Sequence, residues 1–311
     1  MPTLKEIKGR IASVKNTLKI TSAMKLVSSA KLRKAQTAIE NMRPYEKQLQ
    51  AILASAGNAS CTKTANSVHD LPENAASCTK TADSVHGPRA IIAIASNSSL
   101  CGGFNANVIA KVRSVRSAGD VVYSIGRKMA DAMRKDGFPS PEDFTALSER
   151  PAFAPAAALV EDLAKQLETG KIAQVLLVYN HFVSTARQVP VAEVLLSAAG
   201  EDSLSGAFAR TGSRSDAEER ESSPAESEAI IEPSREDLLK VLLPKTVKLK
   251  LYAALLDSAA AEHAARTVAM QTATDNAENL LAELTLQYNK GRQQKITSEI
   301  LDLAGGQAEN Q

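Results

Sequence analysis

The chain lacks tryptophan, and aromatic residues make up only 4% of its 311 positions. It is therefore short of the bulky side chains around which a single large core forms, and small-residue helix packing is expected instead. No run approaches the roughly eighteen apolar residues of a membrane-spanning helix, and no apolar leader precedes the first helical pattern, so neither secretion nor import into an organelle is expected. Three cysteines, Cys61, Cys78 and Cys101, are too few and too scattered for a disulfide framework and point to a reducing compartment, a bacterial cytoplasm. Neither Gly-x-Gly-x-x-Gly nor Gly-x-x-x-x-Gly-Lys-Ser/Thr occurs, so the usual backbone cradles for dinucleotides and nucleoside triphosphates are missing. Charge is balanced overall, 37 Lys and Arg against 35 Asp and Glu.

Helical periodicity is what the two ends do have. Thr3 and Glu6 have the spacing of a capping box, in which each side chain reaches for an orphan amide of the helix start. Leu4, Ile7, Ile11, Val14 and Leu18 follow in alternating three- and four-residue steps, the seam that keeps one helix stripe against a partner. Ile20, Met24 and Val27 carry a displaced stripe, so the seam is expected to drift around the helix. At the other end Pro244 fits a first helical turn, and no proline occurs from Val247 to Leu303. Ala273, Ala277, Leu280, Leu284 and Tyr288 form a stripe that Ile296, Ile300 and Leu303 resume past Gly291. These helices would run roughly 75 and 85 Å, longer than one globular core. The run Ala259-Ala260-Ala261 permits close helix approach, and antiparallel pairing of the two ends covers both stripes most simply.

Between the arms the period changes. Ala90–Ala95, Val121–Ile125 and Val175–Tyr179 read as buried strands, with helices at Phe104–Ser117, Arg127–Lys135 and Ala156–Leu167. Alternation of strand and helix predicts a largely parallel sheet, to which Val189–Leu196 returns as an antiparallel edge. The expected fold class is α/β: a long antiparallel coiled coil of the terminal helices with a central open, Rossmann-like α/β domain. Its divisions are expected at 1–56 and 233–311 for the arms, 88–199 for the α/β domain, and 57–87 and 200–232 for two insertions. The first insertion repeats itself, Ser60–His69 returning as Ser77–His86 with only Asn66 changed to Asp83. Each copy holds a Cys and a His but no close metal-binding pair, so an exposed polar repeat is expected. The second, rich in Ser, Glu and Arg, cannot bury enough surface to order itself.

Candidate chemistry is sparse. Cys101-Gly102-Gly103 follows the first strand, where α/β domains bind ligands, but without a supporting motif it reads as a half-buried thiol in a tight turn. His181 and His263 each stand alone, without a nearby paired carboxylate or Ser pattern, and read as surface or packing residues. No catalytic, cofactor or metal residue is expected. The first arm is basic, with ten Lys and Arg up to Arg43 against only Glu6 and Glu40. That suits an acidic protein surface or nucleic acid, the latter being the alternative reading of the chain as a basic coiled-coil or scaffold protein. No aromatic residue interleaves the charges for base stacking, and nucleic acid is not expected as a partner.

Both ends resemble the gamma subunits of F-type ATP synthases, the central rotor shaft. The opening resemblance runs through Ile7-Lys8-Gly9-Arg10-Ile11, Lys19–Val27 and Ala30–Ala35; the closing one through Ser258, Glu262–Arg266, Ala273–Ala277, Tyr288-Asn289, Arg292-Gln293 and Ile296–Ile300. Three departures stand out. Gly305-Gly306 replaces a Gly-Ala pair, the two insertions interrupt the spacing, and Ser96-Asn97-Ser98-Ser99-Leu100-Cys101-Gly102 lacks the family's Asp, its basic residue and its first Gly. The resemblance implies paired arms inside a ring of alpha and beta subunits, and an α/β domain below, on the membrane c-subunit ring and against the epsilon subunit. It implies a peripheral protein on the cytoplasmic side of a bacterial cell membrane, coupling proton flow to ATP synthesis without catalytic residues or cofactors of its own. By the same resemblance, Met24, Arg266, Arg292, Gln293, Thr297 and Glu299 are the torque and coupling contacts, with Arg292 and Gln293 catching a loop of a catalytic subunit.

Overall fold

The computed structural model describes residues 3–57, 87–197 and 234–308; the duplicated segment and the 200–232 stretch lie outside them. Helix α1 (Leu4–Gly57) opens on the expected capping box. Thr3 N donates to Glu6 Oε2 at 2.9 Å and Glu6 N to Thr3 Oγ1 at 3.4 Å, satisfying two orphan amides reciprocally. The closing helix, termed α6 (Arg235–Ala308), starts earlier than Pro244 suggests. Ser234 begins it, its hydroxyl accepting from Asp237 N at 3.2 Å, and Pro244 lies inside the helix instead of in its first turn. An interior proline costs about 3 kcal/mol. Burial of Val247, Leu251 and Leu255 just beyond it offsets that, at roughly 1.5–3 kcal/mol for each side chain.

The middle follows the order β1 (Arg89–Ile94), α2 (Phe104–Val115), β2 (Val121–Ile125), α3 (Arg127–Lys135), α4 (Thr145–Glu149), α5 (Phe153–Glu168), β3 (Gln174–Phe182) and β4 (Gln188–Ser197). Only α4 was absent from the pattern, being five residues long and thus too short to show a period. Sheet order is β2-β1-β3-β4, with the first three strands parallel and β4 the antiparallel edge. Alternation along β1 sends Ala90, Ile92 and Ile94 to one face and Ile91 and Ala93 to the other. The second face is covered by Val108 and Val112 of α2 and Met129 and Met133 of α3. The first is covered by α5 and by Val247, Leu251, Ala254 and Leu255 of α6, so the long closing helix is itself a layer of the domain.

Above that layer α1 and α6 pair antiparallel. A Cβ on Gly291 would lie 3.1 Å from Leu4 Cδ2, and Thr274 Oγ1 donates to Thr21 Oγ1 at 3.0 Å. Both contacts are separated by seventeen residues on each arm, so the register holds without a slip. The drift of the seam differs from expectation: Ile20 and Val27 are 59% and 57% exposed, while Thr21, Ser28 and Leu32 are buried. Between the arms, small polar α1 side chains, Thr21 and Ser28, alternate with larger apolar ones, Leu32 against the α6 alanines. The alanines of α6 face two ways. Ala260 and Ala264 pack on Leu32 of α1, whereas Ala261 packs on Cys101 and Phe104 of the α/β domain.

Candidate functional site

The carboxy ends of β1 and β2 deliver two turns to the flank of the paired arms. At the second, Gly126 takes φ 101° where the chain crosses under Ala95; an added Cβ would lie 2.2 Å from Ala95 O. At the first, Asn97 ties three elements together. Its Oδ1 accepts from Arg127 N at 2.9 Å, capping α3, and its Nδ2 donates to Thr145 O at 2.8 Å, at the start of α4. Asp in this place would keep the cap and lose the donation. The half-buried Thr145 O would lose a hydrogen bond worth about 0.5–1.5 kcal/mol and face a carboxylate oxygen instead, whereas a charge at a helix N-terminus gains about 0.3–1 kcal/mol. Asn97→Asp is therefore expected to lower stability by about 1 kcal/mol, read as a lower urea midpoint; an unchanged or raised midpoint would remove Asn97 as the tie.

Cys101 is 2% exposed, more deeply covered than expected, and Asn105 Nδ2 donates to its sulfur at 3.2 Å. Phe104 and Ala261 close over it, so the thiol is a packing residue under α6. Leu100 beside it takes φ 67° although it is not glycine, and stands exposed. With Met24 and Val27 of α1 it forms the apolar part of a cleft of about 670 Å³ between the arms and the domain. Four cations line the same cleft, Lys31 from α1, Arg127 and Lys128 from α3, and Arg266 from α6, against Asp131. The loop itself, with Asn97, Ser98 and Ser99, brings no charge; the neighbouring helices make the cleft cationic.

Of the six contact residues expected from the sequence, the structure brings Met24 and Arg266 together at this cleft. Met24 is half-buried, Arg266 only 8% exposed. Arg266 Nη2 lies 2.7 Å from Glu262 Oε1, an ion pair one helical turn long without hydrogen-bond alignment. Burial pushes the Glu262 carboxyl up, and Arg266 and Lys31 pull it back. Burial also lowers His263 to about 4, with the same two cations adding to the effect, so its imidazole is neutral at pH 7. The i,i+4 spacing of Glu262 and Arg266 was visible in the sequence, but not their burial. His181 was expected to have no carboxylate partner, yet Asp257, 76 residues away, lies 2.6 Å from its Nδ1.

The other four, Arg292, Gln293, Thr297 and Glu299, lie far from the cleft, on the part of α6 that extends past the start of α1. All four are exposed. Thr297 Oγ1 donates back to Gln293 O at 2.9 Å, and Lys295 pairs with Glu299 at 3.6 Å along the helix. Ile300 and Leu301 are 61% and 65% exposed among them. Seventeen residues of α6 follow Gly291, roughly 25 Å of single helix. Among the described residues no helix is long and apolar enough to cross a membrane, and no group of three or more His, Cys, Asp or Glu is placed to hold a metal ion.

A family model described as ATP synthase matches residues 3–308. The ATP synthase gamma chain of Phocaeicola vulgatus is 44% identical over 313 residues, covering 98% of this chain and 99% of that one. That of Bacteroides thetaiotaomicron is 41% identical over the same span and shares. Among solved structures, a chain of the Euglena gracilis mitochondrial ATP synthase OSCP/F1/c-ring assembly superposes with a TM-score of 0.65 at 21% identity, covering 98% of this chain and 93% of its own. A chain of the rotor of the same enzyme gives 0.60 at 20% identity, covering 94% and 98%. At that identity the likeness is one of fold.

Proposed function

The chain belongs to the ATP synthase gamma-chain family, and from that premise we propose how its two contact regions work in the central stalk. The arms, 1–56 and 233–311, stand inside the ring of alpha and beta subunits. The α/β domain, 88–199, rests on the c-subunit ring and the epsilon subunit, with 57–87 and 200–232 as insertions. The assembly is peripheral, on the cytoplasmic side of a bacterial cell membrane, and proton flow through the ring turns the stalk. The chain contributes no catalytic group; it acts on the nucleotide sites of its partners. A partner shifts another protein's equilibrium only by contacting its states differently. An asymmetric shaft does this by presenting a different face to each catalytic subunit as it turns.

The observation that supports this reading is the contrast along α6. Below Gly291 one stripe of α6 is covered, Ala277 and Leu284 among it, while side chains off that stripe such as Leu286 are exposed; from Arg292 to Leu301 every side chain, polar and apolar alike, stands exposed. Exposed Ile300 and Leu301 beside Arg292 and Gln293 suit a surface covered by surrounding subunits. Arg292 and Gln293 offer a guanidinium fork and an amide for a loop of a catalytic subunit. Met24 and Arg266 have a different part, setting the spacing of arms and domain at the cleft.

Replacing Arg292 and Gln293 together by alanine tests the reading. Alanine favours the helix, so the circular dichroism of the free chain should not change. Each desolvated hydrogen bond lost is worth about 1–3 kcal/mol. In the assembled complex ATP hydrolysis or ATP-driven proton pumping should therefore fall about tenfold or more. Full activity and pumping in the variant complex would leave these residues as plain helix surface.

A further inference from the structure

Charged and titratable side chains from four elements meet where the sheet joins the shaft. Arg43 and Glu46 come from α1, Tyr179 and His181 from β3, Glu193 from β4, and Lys250 and Asp257 from α6. Asp257 holds the end of β3 by two adjacent residues: Oδ2 lies 2.6 Å from His181 Nδ1, and Oδ1 accepts from Phe182 N at 3.2 Å. Lys250 Nζ, 3.2 Å from Glu193 Oε2, binds β4 to the same helix. The charges close only with a proton on the imidazole. Glu46, Glu193 and Asp257 carry three negative charges, Lys250 and Arg43 two positive ones, and His181 supplies the third.

We propose that the His181–Asp257 pair is a proton-dependent clasp between sheet and shaft, closed while His181 is charged and slackened, at the end of β3 and at Arg43–Glu46 of α1, when it is neutral. Net negative charge in a half-buried joint is unfavourable, though screened on the side where His181 and Arg43 meet solvent, and the hydrogen bond from a charged imidazole is stronger than from a neutral one. The Asp257 hydrogen bond raises His181 above its ordinary 6.5, against a smaller opposing effect of burial. A raised histidine contributes its stabilisation fully below pH 6.5 and loses it as pH rises through the folded value. Burial raises Glu46 from 4.5, so its ionisation also brings charge into the joint as pH rises, and the two effects have the same sign. Burial pushes Tyr179 up as well, which keeps its hydroxyl protonated throughout.

The full-length chain suffices for the test. The His181 resonance is identified by its disappearance in His181→Gln and titrated by NMR, beside hydrogen exchange at residues 40–50 and 179–193 from about pH 6 to pH 9, corrected for the intrinsic rate. His181 should titrate above 6.5, and protection of both segments should fall several-fold as it does, because the linked equilibrium follows its proton. Asp257→Asn should return the titration to 6.5 or below, and His181→Gln should show a weaker pH dependence of protection, reduced to the part that Glu46 supplies. A wild-type His181 that titrates at or below 6.5, or an undiminished pH dependence in His181→Gln, overturns the proposal. If His181→Gln does not fold, the wild-type titration beside that of Asp257→Asn decides it.

Discussion

Arg266→Ala is expected to lower the stability of the chain by about 3 kcal/mol, because it leaves the Glu262 carboxylate, whose side chain is 12% exposed, without its partner in the seam. The loss should depend on pH in a definite direction. Burial already raises Glu262 from 4.5, and removing Arg266 takes away the largest opposing influence, so its folded value rises further. Below pH 4.5 the carboxyl is protonated folded and unfolded, and the electrostatic part of the deficit vanishes; it grows as pH rises through the interval above. Thermal unfolding of wild type and Arg266→Ala across that range checks this. Adding Glu262→Gln should restore most of the stability, since a neutral amide removes the unpaired charge. A deficit independent of pH, or no rescue by Glu262→Gln, would mean that Arg266 matters through packing of its stem alone.

Gly126→Ala should have the other large effect, a loss of about 4 kcal/mol, a large share of a domain's usual stability. Two penalties combine there: φ 101° is disfavoured for any residue with a Cβ, and that Cβ would sit 2.2 Å from the carbonyl oxygen of Ala95. The oxygen cannot retreat freely, because Ser148 Oγ donates to it at 2.7 Å and Ala95 N is bound to Ile125 O at 2.8 Å. Gly137→Ala separates the two penalties, since Gly137 takes φ 85° with nothing within 4 Å of its would-be Cβ. It should cost only the conformational part, about 1–2 kcal/mol. Equal losses in the two variants, measured by denaturant unfolding, would show that the contact with Ala95 contributes nothing.

Elements whose burial is periodic were legible in the sequence. The strands Val121–Ile125 and Val189–Leu196, helix α3 and the capping box at Thr3 and Glu6 all followed from spacing alone. Where misreadings arose, a local rule lost to tertiary packing. Pro244 was read as a helix start because an isolated helix would break there, but downstream burial in the sheet domain carries the helix through it. Ile20 and Val27 look like seam because they are apolar, but the stripe of α1 that meets α6 runs one residue on, through Thr21, Ser28 and Leu32, and leaves both exposed. The partners of His181, Asn97 and Arg127 lie 76, 48 and 30 residues away in sequence, and no short-range pattern encodes such distances. The six contact residues followed the family resemblance and not the chemistry of the site, and the spacing could not tell that Arg266 is enclosed while Arg292 stands in the open.

The single-helix end of α6 also has a mechanical meaning. A rod made of two packed helices resists twist and bending far more than one helix does, because relative sliding of the strands must break side-chain contacts. From Gly291 down, α1 and the sheet brace α6; beyond it none of the described residues does. Elastic compliance therefore concentrates in the last seventeen residues, in series with a stiff lower shaft. A stepwise load at the upper end would be absorbed there first, as strain in a short spring, while the braced section moves as one body.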